Sequence, residues 1–390
     1  MYLFLFLPLS LFSLLFVNYI KKNFWVPYLF FFIGPILTYF GFIRVLTGFN
    51  GSGMVGGVTF GVTFYTVYIS YQILKNKHLI QKNPIKFIIS AMNPLYLFSG
   101  PIPINFPINA INFKIKRLSK IFNKVNSDLI LGLFFSNVLA PSLTPYFYLK
   151  NSTNIIDIIL FGLIFEFFVY FNFSGYSMIA WALMRLVGIK APRNFRQPFG
   201  ANSIVDYWQR WHISLSIILK ELFFAKVKPF LGLYGAVFVV FLFSAMWHGV
   251  TINFFVWGLF HSILWCSAYF LNKLNFKFIN YILLIFGVVV GRVIFSEIDW
   301  IKLSLKLSVI FDLTKWNIDG DFILLTQGLL GRINLLFIFL IISWEVVAPK
   351  IGFAERDYNY LRSPCFSALI AIYVCLSFAG FDGVPIYGDR

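Results

Sequence analysis

Long apolar runs, separated by short polar stretches, recur from one end of the chain to the other. In helical conformation about 20 apolar residues cross the hydrocarbon core of a bilayer. Runs of that kind fall at 1–20, 26–48, 57–74, 86–105, 128–149, 155–184, 231–248, 250–271, 279–297, 321–347 and 364–380. They predict an all-α, polytopic membrane protein with about nine to eleven membrane elements, re-entrant pieces included. No stretch reads as a soluble domain or a long linker, so residues 1–390 are expected to form one membrane domain. No internal repeat is visible, which gives an inverted-repeat transporter no support. The first run lacks a preceding basic region and a small-x-small cleavage site, and Lys21-Lys22 follow it. It reads as a first transmembrane helix with its C-terminal end in the cytoplasm, not as a cleavable signal.

Three stretches depart from plain apolar helix. From Asn93-Pro94 to Pro107 the chain contains Ser99-Gly100-Pro101-Ile102-Pro103. Proline removes backbone donors, and bare backbone cannot face lipid. This piece is either a broken segment buried in protein or a loop at the membrane surface. Residues 113–124 mix apolar and basic side chains, the pattern of an amphipathic helix on the cytoplasmic surface. Residues 203–224 predict a third feature, an amphipathic helix. Ser203 with Asp206 makes an N-terminal cap, and Ile204, Trp208, Trp211, Leu215, Ile218, Leu219 and Leu222 fall at helical spacing. Gln209, Arg210, Ser214, Lys220 and Glu221 take the other face, and His212 sits at the margin of the apolar stripe.

Composition narrows the function classes. Of 390 residues, 59% are hydrophobic and 12% are charged, against about 25% charged in a soluble domain. The formal net charge is +17. Lys and Arg cluster in the short loops, as the positive-inside rule expects, and no nucleic-acid motif is present, so the basic balance implies the bilayer and not a nucleic acid. Cys266, Cys365 and Cys375 share no metal or disulfide spacing and read as small packing residues.

Candidate chemistry centres on four histidines. His78 follows Lys75 and Lys77 in an expected loop and reads as solvated. His248 stands between Phe243 and Trp257 in an apolar run, where an ionisable side chain is costly and points to function. A neutral histidine bonded across helices is the other reading of the same surroundings. Imidazole titrates near neutrality and can take a proton from a hydroxyl, and Gly249 lets backbone or substrate come close. His261 reads as a packed histidine. No Gly-x-Ser-x-Gly elbow, His-Glu-x-x-His, Cys-x-x-Cys or Gly-rich phosphate loop occurs. Glu166 lies alone in an apolar run; a basic partner is one reading of it, and its role stays open.

The motifs then become recognisable. Tyr170-Phe-Asn-Phe-Ser-Gly-Tyr-Ser-Met178, Gly188-Ile-Lys-Ala-Pro-Arg-Asn-Phe-Arg-Gln-Pro-Phe199, Asp206-Tyr-Trp-Gln-Arg-Trp-His-Ile-Ser-Leu-Ser216 and Trp247-His-Gly249 resemble the membrane-bound O-acyltransferase family. The branch they resemble holds the alginate O-acetyltransferases and D-alanyl-lipoteichoic acid transferases. Gly61-Val-Thr-Phe-Tyr-Thr66, Ser99-Gly-Pro-Ile102, Asn253, Trp257, Gly258 and His261 extend the resemblance over residues 57–271.

The resemblance implies a ring of helices around a thinned centre with a central tunnel, in a multi-pass protein of the cell (cytoplasmic) membrane. It implies catalysis by His248, with His212 orienting or polarising. Asn253, backbone at Gly249, Trp247, Trp208 and Arg210 become candidates for substrate binding or oxyanion stabilisation. No bound cofactor or metal is expected. The donor is an acyl-CoA or acyl-carrier thioester, acetyl-CoA or a carrier protein. The acceptor is an extracytoplasmic polysaccharide or, second, a teichoic acid, and an extracytoplasmic partner protein completes delivery. Lys220-Glu221, where this branch often has Arg-Asp, and Asn172, where it often has Asp, bear on the acceptor more than on the reaction. A transporter or a non-catalytic relative is the alternative of a different class.

Overall fold

Inside a bilayer each backbone N–H must find its partner within the protein, which leaves the helix as the natural state of this chain. The computed structural model describes residues 2–19, 25–39, 52–91, 95, 100–104, 115–249, 251–316, 329–351 and 364–380, and no strand occurs among them. The helices are α1 (Tyr2–Tyr19), α2 (Val26–Tyr39), α3 (Ser52–Lys82), α4 (Pro84–Ala91), α5 (Ile115–Phe134), α6 (Ile155–Leu186), α7 (Ile204–Arg210), α8 (Ile213–Leu219), α9 (Ala225–His248), α10 (Ile252–Lys273), α11 (Lys277–Ser296), α12 (Trp300–Ser308), α13 (Leu329–Val347) and α14 (Pro364–Gly380). Among the described residues six helical stretches are long and apolar enough to cross a membrane: 125–151, 155–186, 213–248, 252–273, 277–296 and 331–351. The all-helical, polytopic membrane architecture expected from the apolar runs is thus present.

The helix α6 shows how local sequence sets the boundaries. Asn154 caps its start, the side chain accepting from the Ile156 amide at 2.8 Å. Its end is a Schellman turn: Gly188 adopts φ 84°, its amide bonds the Arg185 carbonyl, and the Ile189 amide bonds the Met184 carbonyl at 2.8 Å. Midway, α6 meets α5 backbone to backbone. A Cβ on Gly175 would lie 2.6 Å from the Ser136 nitrogen and 2.7 Å from the Gly132 carbonyl oxygen. Small residues that admit such approach are a standard device of helix association in lipid. Gly175→Ala is therefore expected to destabilise the protein by about 1–3 kcal/mol, read as a lower thermal midpoint in detergent.

Three expectations are refined. Residues 100–104 are irregular, and Gly100, Pro101, Ile102 and Pro103 are buried, which favours the broken, protein-enclosed segment over a surface loop. The Ile102 amide donates to Ser214 Oγ at 3.0 Å, and Gln72 Nε2 donates to the Pro103 carbonyl at 2.9 Å. The rest of the 93–107 stretch, apart from Leu95, lies outside the described residues. The expected basic helix at 113–124 is helical from Ile115 on; residues 113 and 114, and most of its side chains, lie outside the described set. His78 is exposed, as expected, but stands on α3 and not in a loop.

The continuous amphipathic helix expected over 203–224 is not formed. Ser203 does cap it, accepting from the Asp206 amide at 3.3 Å. After Arg210 the helix stops, Trp211 is extended, and His212 takes a left-handed conformation (φ 44°, ψ 53°) before α8 starts. The freed backbone groups are taken up by the preceding loop. The Arg196 amide bonds the Arg210 carbonyl at 3.0 Å, and the Ile213 amide bonds the Asn194 carbonyl at 2.9 Å. Asn194 Oδ1 also accepts from Ser214 Oγ at 2.6 Å. These contacts replace the helical bonds that the break removes. From α8 the chain runs through a π-helical turn (Lys220–Phe224) into α9.

Candidate active site

The break after α7 turns His212 inward. Its ring packs edge-on against Phe173 of α6, with centroids 4.7 Å apart, and against Trp247 of α9 at 5.5 Å. His248 is the last residue of α9, followed by Gly249, whose amide closes the helix on the Ala245 carbonyl at 3.3 Å. Trp247 lies 4.7 Å from the His248 ring as well, so one indole packs against both histidines. Phe295 of α11 at 4.8 Å and Trp257 of α10 at 5.7 Å complete an aromatic setting for His248.

Both histidines open on one cavity of about 590 Å³. Its wall is largely apolar, with Phe173, Leu215, Leu219, Phe241, Trp257 and Phe295 among its members, and it includes Trp208, Gln209, Ser216, Lys220, Ser244 and Arg292. Lys220 is exposed and marks where the cavity meets the surface. His248 Nδ1 has no hydrogen-bond partner among the described residues, nor does the indole N–H of Trp208. His248 thus borders a largely apolar space and keeps one ring nitrogen without a protein partner among the described residues.

A charged knot stands behind this wall. Arg292 of α11 donates through Nε to Glu166 of α6, and the Tyr207 hydroxyl donates to the other Glu166 oxygen at 2.7 Å. The Arg292 guanidinium lies 4.7 Å from the centre of the Trp211 ring and 5.7 Å from that of Phe295. Arg292 borders the cavity, whereas Glu166 and Tyr207 do not. The basic partner of Glu166 is thus Arg292. Sequence reasoning passed over Arg292 itself, although a lone arginine in an apolar run is a signal of the same kind as His248.

The structure separates the other candidates. Trp208 lines the cavity, while Trp247 is buried beside both histidines without bordering it. Arg210 is turned away and pairs with Asp206 at 2.8 Å. Asn253 is buried, its amide donating to the Phe295 carbonyl at 3.2 Å at the end of α11. Neither Arg210, Asn253 nor Gly249 borders the cavity. His261 packs behind it among Trp208, Phe241 and Trp257, so tightly that a Cβ on Gly291 would lie 2.3 Å from its Nε2. No group of three His, Cys, Asp or Glu suited to a metal ion occurs among the described residues.

Comparison with known proteins bears on this arrangement. The family model for the membrane-bound O-acyltransferase family matches residues 143–297, a span that holds Glu166, His212, His248 and Arg292. A teichoic acid D-alanyltransferase of Bacillus subtilis is 27% identical over 165 residues, covering 38% of this chain and 42% of the relative. A probable alginate O-acetylase of Pseudomonas fluorescens is 28% identical over 275 residues, covering 66% and 55%. A peptidoglycan O-acetyltransferase of Helicobacter pylori is 36% identical over 142 residues, covering 34% and 27%. The chain spans about half the length of the first curated relatives it matches. Over residues 143–297, set among helices apolar and long enough to cross a membrane, the chain is thus similar to the membrane-bound O-acyltransferase family.

Proposed function

We propose that this protein is a membrane O-acyltransferase that moves an acyl group, acetyl in the first instance, from a cytoplasmic thioester to a hydroxyl of an extracytoplasmic polysaccharide. The observation that carries the reading is the convergence of His212 and His248, from separate segments, on one largely apolar cavity. In this mechanism the acceptor hydroxyl gives its proton to His248 as it attacks the thioester carbonyl, and His212 orients or polarises the reacting groups. The apolar wall keeps water from competing for the acyl group. The donor is an acyl-CoA or acyl-carrier thioester, used as substrate and not held as a cofactor. The protein acts in the cytoplasmic membrane, and a separate extracytoplasmic protein completes delivery to the polymer.

The similarity to the Bacillus subtilis D-alanyltransferase supports a second reading, transfer of D-alanine from a carrier protein to teichoic acid. Proteoliposomes offered radiolabelled acetyl-CoA with an alginate oligosaccharide, and separately a D-alanyl carrier protein with lipoteichoic acid, distinguish the two. Alkali-labile label is expected on the polysaccharide. Label only on teichoic acid would move the assignment to the second reading. Label on neither, with polysaccharide binding intact, would favour a non-catalytic or transport role.

A further inference from the structure

A charged side chain on a membrane-spanning helix is costly to bury even when paired, and such pairs are often replaceable by apolar residues without loss of stability. Stability alone is therefore a weak reason for Arg292 to stand on α11. Its placement supplies a stronger one. Glu166, which also accepts from the Tyr207 hydroxyl, holds the guanidinium, and Arg292 alone of the three borders the cavity. The ring of Phe295 has Arg292 on one side at 5.7 Å and His248 on another at 4.8 Å. The cation and the imidazole thus both neighbour one ring of the cavity wall. Two groups expected to stabilise an oxyanion are committed elsewhere: the Asn253 amide to the Phe295 carbonyl and the Gly249 amide to that of Ala245.

We infer that Arg292 is a catalytic residue whose guanidinium donates a hydrogen bond to the acyl carbonyl oxygen and stabilises the negative charge that forms there. The inference rests on the acyl-transfer reading above. Its Nε is engaged by Glu166, and a guanidinium carries five N–H donors in a fixed plane, so others remain to meet a substrate. In the step, the acceptor oxygen forms a bond to the carbonyl carbon while its proton passes to His248. The carbonyl π pair moves onto oxygen, facing Arg292. As the carbonyl re-forms, the carbon–sulfur bond breaks, and the leaving thiolate takes the proton from His248. The products are an ester and a thiol. Glu166 fixes the cation before substrate arrives, and such preorganised charge stabilisation is commonly worth about 10²- to 10³-fold in rate.

The test uses the full chain in proteoliposomes with acetyl-CoA and an alginate oligosaccharide, or the D-alanyl carrier and lipoteichoic acid if that pair supports wild-type transfer. The double variant Glu166→Gln/Arg292→Gln removes both charges and leaves no orphan. We expect kcat to fall by about 10²- to 10³-fold, the donor KM to change by less than about threefold, and the thermal midpoint in detergent to stay near wild type. Wild-type kcat in the double variant, or a loss confined to KM, overturns the role of Arg292. If the double variant does not fold, Arg292→Lys decides. A point-like ammonium replaces the fork, so kcat should fall at least about tenfold at unchanged KM, and an unchanged kcat overturns the proposal. His248→Ala in the same assay separates the two levels. Lost transfer there beside a fully active double variant removes Arg292 alone, whereas full transfer in His248→Ala removes the reading on which it rests.

Discussion

Replacing His248 by alanine is expected to lower acyl transfer by about 10²- to 10⁴-fold, the range for loss of a positioned general base. The protein should still insert, fold and bind its donor. His248 ends α9 and forms no hydrogen bond through Nδ1 among the described residues, so truncation orphans no partner of that nitrogen. It also borders a space that is already open, so the change widens the cavity without creating a sealed void in a packed core. Transfer measured in proteoliposomes, with gel-filtration behaviour and thermal midpoint as controls, checks both halves of the expectation. A His248→Ala protein that transfers at the wild-type rate would sink the assigned mechanism.

The largest loss of stability is expected from Glu166→Ala. Glu166 is almost wholly buried on α6, binds Arg292 through one oxygen and receives the Tyr207 hydroxyl on the other. Its removal leaves a guanidinium in a membrane-spanning helix without its counter-ion and a buried phenol without its acceptor. Breaking a buried pair on one side costs about 3–5 kcal/mol, far more than removing both charges together. The measurement is the denaturation midpoint in detergent, compared across Glu166→Ala, Arg292→Gln and the Glu166→Gln/Arg292→Gln double variant. The double variant should recover most of the loss. Equal stability of Glu166→Ala and wild type would mean that the Glu166–Arg292 pair holds nothing together.

Much of this molecule is legible one residue run at a time. The helix α6 is one apolar stretch with a polar cap, and the expected 155–184 span differs from Ile155–Leu186 only at its end. The break at His212 is not legible in the same way. Trp208, Trp211 and Leu215 keep helical spacing across it, and what stops the helix is the carbonyl of Asn194 and the amide of Arg196. Periodicity within a segment carries no information about bonds supplied from a loop earlier in the chain. Asn253 is a different case. It follows the histidine motif and is polar, yet its amide serves the end of α11. Glu166 and Arg292 stand 126 positions apart; two lone intramembrane charges of opposite sign are a readable hint of pairing, but not of which one faces the cavity. The convergence of His212 and His248 follows from family motifs and from tertiary structure, not from their local surroundings.

The left-handed backbone at position 212 bears on how this residue can be interrogated. Among the described residues, Gln197, His212 and Asn275 are the non-glycine positions with positive φ. Histidine and asparagine enter that region more readily than most side chains, and β-branched residues hardly at all. A replacement at 212 therefore changes two quantities at once, the chemistry offered to the cavity and the conformational bias of the joint between α7 and α8. Valine or threonine there would spoil the joint before testing the imidazole. Asparagine keeps the backbone preference while removing the ring, and glycine keeps only the backbone freedom. The difference between those two isolates what a polar group at this corner contributes, separately from the turn that presents it.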